Sequence, residues 1–188
     1  RSSGLELHRH YVGSTACVPS RATLFTGQYP SLHGVSKTDG IATTWAKQLA
    51  LYVVIYSPLQ MAADLLENYE ANPGPFQFIK DVPVDWEDTR VLNGEVGDFV
   101  TIVRRDRHSD NWYLGAITDE QGRELEVSLS FLDPGRTYTA QIYRDGDDAH
   151  WKTAPQDIVI EERQVTSTDT LPLRLAPGGG QAIRFIAK

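Results

Sequence analysis

A single cysteine stands in 188 residues, which excludes an internal disulfide and leaves the redox compartment unread. No apolar run approaches the ~20 residues of a membrane-spanning helix. The opening "RSSGLELHRH" lacks the hydrophobic core of a signal peptide. Basic residues are outnumbered, 18 against 25 acidic for a formal charge of −7, and none of them form a run. Nucleic acid and membrane are therefore set aside as partners, since both need a cationic patch. Internal repeats and low-complexity tracts are also missing. What remains is a chain long enough for one domain with an appendage, and too short for two complete catalytic domains.

Charge and pattern both change near residue 40. Residues 1–40 carry Arg1, Arg9, Arg21 and Lys37 against Glu6 and Asp39, a balance of +2 that leaves −9 for the remainder of the −7 total. This segment is rich in Ser, Thr, Gly and His and has too few large apolar residues to form a core of its own. From Thr43 the spacing turns helical: Trp45, Leu49, Tyr52, Ile55 or Tyr56, Leu59, Ala63 and Leu66 recur at steps of three and four. Pro58 interrupts the run, with Ser57 as an acceptable N-cap and Gln60 three residues on, so the choice lies between one kinked helix and two helices. "QLALYVVIY" is apolar nearly all round and predicts burial between layers. "NPGPF" at 72–76 is expected to end the helical structure. After residue 85 the pattern is of strands separated by turn chemistry: "DTRVLNGEVGDFVTIVRR" holds two, and "NWYLGAIT", "ELEVSLSFL", "TYTAQIYRD", "DIVIEERQVT", "TLPLRLA" and "QAIRFIA" follow. The expected fold is mainly β, an antiparallel β-sandwich of about eight strands with an N-terminal helical segment, residues 44–70, packed against it. The expected domains are a coreless fragment at 1–40, a helical segment at 41–75 and the sandwich at 76–188.

Several residue groups are chemical candidates. In "ACVPSRATLFTG", Cys17 and Arg21 would flank a helix N-terminus, a place that favours an anion such as sulfate or phosphate; the plainer reading is a small half-buried thiol. Asp145, Asp147 and Asp148, with His150, gather oxygen ligands suited to calcium, although their spacing is not that of an EF-hand and a solvated turn is the plainer reading. Glu95, Asp98, Glu124 and Glu126 are candidates for an acid/base pair if two of them share a cleft. Trp86, Trp112, Tyr113, Tyr138, Tyr143 and Trp151 would form a sugar-stacking platform or, more simply, strand packing.

Two family resemblances lie on these residues. "CVPSRATLFTGQYPSLHG" resembles the signature of the type I sulfatases through Cys17, Pro19, Ser20, Arg21, Leu24, Thr26, Gly27, Tyr29, Pro30, His33 and Gly34. That resemblance spans residues 4–38 and implies a cysteine oxidised to formylglycine, whose hydrate attacks a sulfate ester. Its calcium site needs an acidic pair before this segment and an Asp-Asn pair far after it, and neither has room here. Residues 44–188 resemble the C-terminal end of glycoside hydrolase family 97, bacterial calcium-dependent α-glycosidases with a (β/α)8 barrel followed by an antiparallel sandwich. The resemblance implies that residues 44–70 match the last barrel helix, that 85–188 match the sandwich, and that the family's catalytic and calcium-binding glutamates belong to the earlier barrel. The join falls near Asp39 to Thr43. The parent families imply a bacterial periplasmic or secreted setting.

Three functions follow as expectations. The first is a non-catalytic C-terminal module, structural or oligomerising, that needs no cofactor, with calcium or carbohydrate as possible ligands. It would form a homo-oligomer through the apolar helix 45–66, whose apolar face must find cover either under residues 1–40 or on a second subunit. The second is a small α-glycosidase with residual or new activity, and the third an aryl sulfatase using Cys17.

Overall fold

A computed structural model describes residues 43–57 and 66–188. The chain divides into two units, Arg1–Ile41 and Ala42–Lys188, and every described residue belongs to the second. Among its described residues three helices, α1 (Trp45–Val54), α2 (Leu66–Glu70) and α3 (Pro73–Asp81), precede eight strands. These are β1 (Trp86–Glu95), β2 (Phe99–Asp106), β3 (Trp112–Thr118), β4 (Arg123–Ser128), β5 (Tyr138–Asp145), β6 (Ile158–Val165), β7 (Thr170–Leu175) and β8 (Gly180–Ala187). Among the described residues no helix is long and apolar enough to cross a membrane.

All the strand pairs are antiparallel. Six strands form one sheet in the order β1-β2-β3-β8-β5-β6, and β4 and β7 form a second. The expected sandwich and its eight strands are therefore present, with very unequal sheets. Period-two alternation divides the side chains of the large sheet between two cores. On β3, Trp112, Leu114 and Ala116 enter the core between the sheets, beside Leu129 and Phe131 and opposite Leu171, Leu173 and Leu175. Tyr113 points the other way, into a second core made with Leu49, Ala50 and Val53 of α1 and Phe78 of α3. The molecule has three layers in this region: helices, large sheet, small sheet.

α1 begins where the Thr44 hydroxyl accepts from the Lys47 amide at 3.2 Å, an N-cap of ordinary chemistry. Its buried residues, Ala46, Leu49, Ala50 and Val53, recur at helical spacing. Their cover is the chain's own large sheet, in agreement with a helical segment packed against the sandwich. Gly115 of β3 permits the close approach: a Cβ there would stand 2.6 Å from the Ala50 carbonyl oxygen. "NPGPF" begins a helix instead of ending helical structure. Asn72 is the N-cap of α3 and a proline occupies its first turn, where the missing N–H has no partner to lose and the fixed φ already suits a helix. Residues 58–65, which include Pro58, lie outside the described residues, so the choice between a kinked helix and two helices does too.

Candidate functional site

Two places in this unit combine charge with shape. The first is built on Asp145, at the end of β5. Its side chain is 1% exposed, and its Oδ2 accepts from the amides of Ala176 and Gly180, each at 2.9 Å. Burial pushes the carboxyl up from its ordinary value of 3.8, against the weaker downward pull of the Thr44 side chain and the two amides, while Asp157 adds a smaller upward push. The turn Gly178-Gly179-Gly180 wraps around it. Gly178 has φ +67°, and a Cβ on Gly179 would collide with Asp145 Oδ2. The same turn accepts from Thr44 N at Gly178 O (3.2 Å) and from Thr118 N at Gly179 O (3.1 Å). One buried carboxylate thus braces the β7–β8 turn, whose carbonyls in turn hold the start of α1 and the end of β3.

The second place is the β1–β2 hairpin. Its turn is Glu95-Val96-Gly97-Asp98, closed by Asp98 N donating to Glu95 O at 3.1 Å, with Gly97 at φ +94°. Val96 is fully exposed at the tip. Behind it opens a cleft of about 510 Å³, lined by Lys47, Val91, Val96, Phe99, Val100 and Ile117 among others. Lys47 comes from α1, and its Nζ donates to Thr118 O at 2.6 Å. Burial lowers its pKa against the pull of Asp119, Asp145 and Glu120. The Arg123 guanidinium braces the rim: it binds Asp119, meets Asp98 at 3.3 Å and lies 5.2 Å from the centre of the Phe99 ring. Its hydrogen bond holds the Asp119 carboxyl below the ordinary range.

The residues singled out from sequence are distributed as follows. Cys17 and Arg21 lie outside the described residues. Asp145 takes the inward place just given, Asp147 pairs with Arg174 at 2.6 Å, and the Asp148 amide donates to Asp157 at 2.9 Å. His150 Nδ1 accepts from the Lys152 amide at 3.0 Å. Among the described residues no group of three His, Cys, Asp or Glu side chains is placed to hold a metal ion. Glu95 and Asp98 line the hairpin cleft, while Glu124 and Glu126 stand exposed on β4, opposite Arg174 and Pro172 of β7. Trp86, Trp112, Tyr113, Tyr138 and Tyr143 are buried in the two cores, so they form no exposed platform for a sugar; Trp151 is half-buried. Sequence reasoning passed over Lys47 and Val96. A lone cation in an apolar helix, and a valine at the centre of a hairpin turn, were the available signals.

A family model described as glycosyl-hydrolase 97 C-terminal, oligomerisation, matches residues 85–186, more than half of the chain. The chain belongs to this family. A family 97 enzyme from Pseudoalteromonas sp. strain K8, solved with panose, is 56% identical with a TM-score of 0.77, over 78% of this chain and 23% of that one. A retaining alpha-galactosidase of Bacteroides thetaiotaomicron is 39% identical over 76% of this chain and 21% of its own length. A probable retaining alpha-galactosidase of Streptomyces bingchenggensis is 30% identical over 75% and 20%. The chain thus spans about a fifth of the length of these curated relatives, and its family 97 part is a C-terminal module. A sulfatase model matches residues 1–55, so both resemblances read from the sequence are borne out.

Proposed function

We propose that the family 97 module of this chain works as a non-catalytic element that holds copies of the protein together. The observation that carries this reading is the match of residues 85–186 to a domain described by its role in oligomerisation. Burial of the aromatic side chains in packing, and the placing of acids on a solvated strand or a braced turn, agree with a structural role. A more specific part of the proposal concerns the helix 45–66. In its described part the inner residues already face the module's own sheet, so its share in an interface would come from the outer ones, such as half-buried Leu51 and exposed Tyr56. The test is multi-angle light scattering across micromolar concentrations, together with assays on aryl α-galactoside, aryl α-glucoside and aryl sulfate. A species larger than the monomer with no turnover is expected. A strict monomer, or turnover abolished by substituting a described carboxylate, would overturn the proposal.

A further inference from the structure

We propose that the β1–β2 hairpin and the cleft behind it form a self-complementary docking surface for a second copy of this chain, with Glu95 and Val96 of each copy entering the other's cleft beside Lys47. The inference rests on the oligomerising role proposed above and adds the surface that performs it.

The outer face of the small sheet and the two edges of the large one are poorly suited to association. The small sheet turns exposed Glu124, Glu126, Ser128, Thr170, Pro172 and Arg174 outward. β6, one edge of the large sheet, carries Glu161, Glu162 and Arg163, charges that discourage edge pairing. β1, the other edge, breaks register twice, between Trp86 and Asp88 and between Val91 and Asn93, and bulges of this kind twist an edge away from a flat partner.

The hairpin differs from all of these. A valine with its whole side chain in water stands beside a cleft whose wall is Val91, Phe99, Val100 and Ile117. Knob and hole belong to the same surface, the arrangement that a two-fold interface requires. The cleft also holds charge of both signs: Lys47 stands in its wall with Glu95, Asp98 and Asp119, and Arg123 binds Asp98 and Asp119. Glu95, next to the knob, is exposed and makes no ion pair among the described residues. Lys47 makes none either among them; its ammonium donates to Thr118 O and is drawn by Asp119, Asp145 and Glu120. A carboxylate brought in from the partner would meet a half-desolvated cation, where a pair is screened less than at an open surface. Gly94 and Gly97 keep the hairpin narrow: a Cβ at Gly94 would crowd Val100.

The test is sedimentation equilibrium on the full 188-residue chain and on Glu95→Lys, Lys47→Glu, the double exchange and Val96→Asp, each checked for an unchanged circular dichroism spectrum. The variants at positions 95 and 96 lie on an exposed turn and are expected to fold. Each single exchange should weaken self-association by about tenfold or more, Val96→Asp should do the same, and the double exchange should recover most of the loss. If the wild-type chain is monomeric throughout, the oligomerising role itself fails. If it associates and neither Val96→Asp nor Glu95→Lys changes the constant, the role stands and this surface is wrong.

Discussion

Asp145 is the residue whose chemistry extends furthest through the module. Its carboxylate accepts from two amides of the β7–β8 turn, and removing it would leave those donors without an acceptor. Asp145→Ala should cost roughly 2–4 kcal/mol in urea unfolding, from two or more unsatisfied groups. The pH dependence has a definite sign. Burial raises the carboxyl above 3.8 in the folded chain, so over the range between that value and the raised one the folded state keeps a proton that the unfolded state has released. Asp145 therefore contributes stability that is complete below about pH 4 and is lost as the pH rises through the folded pKa. Asp145→Asn, which keeps an acceptor and does not titrate, should lack this slope. Unfolding free energies of the two proteins, measured from about pH 4 to 7, should converge or cross as pH rises. Parallel curves would mean that the carboxylate titrates alike in both states.

Among the elements, α1 shows how a helix of ten residues is held. Its last turn leaves carbonyls without partners inside the helix, and Arg104 of β2 supplies them: Nε donates to Val53 O at 2.6 Å and an Nη to Val54 O at 3.3 Å. The other Nη donates to Thr89 Oγ1 at 3.0 Å, and the guanidinium lies against Trp86 and Tyr56. A cation at this end also complements the helix dipole. Arg104→Met should lower stability by about 2–3 kcal/mol and speed amide exchange in α1 ahead of that in the β3–β8 ladder. Arg104→Lys should recover only part, because an ammonium cannot reach three acceptors in a fork. None of this was legible in the sequence, where Arg104 is one half of an Arg-Arg pair at the end of a strand. The strands themselves were legible, because "ELEVSLSFL" and "TLPLRLA" carry period-two patterns bounded by turn residues. The start of α3 was misread for a local reason: Pro73 and Pro75 are helix breakers in an interior and are tolerated in a first turn. That the helical segment packs on the sandwich was expected; which strands receive it was hidden, because that depends on Gly115 and Gly180, two small residues far along the chain whose only sequence signal is the lack of a side chain.

At the scale of the whole molecule, the two cores share their strands. Trp112 and Tyr113 are consecutive and enter opposite cores, as do Ile142 and Tyr143, and Ala182 and Ile183. Neither core can be lost without disturbing strands that build the other, so the three layers should unfold together. Among the described residues both cores are drawn from residues 49–187. These facts predict that residues 42–188 expressed alone will fold, with a β-dominated circular dichroism spectrum and one cooperative transition. The tryptophans provide the measurement, since Trp86 reports on the core under the helices and Trp112 on the core between the sheets. Single-tryptophan versions, with Phe at the other tryptophan positions, should give the same urea midpoint, which should coincide with the midpoint from circular dichroism. Two separated midpoints would show that the helical layer melts independently of the sandwich. Failure of 42–188 to fold, in conditions where the full chain does, would show that residues 1–41 supply cover that the two cores do not provide for themselves.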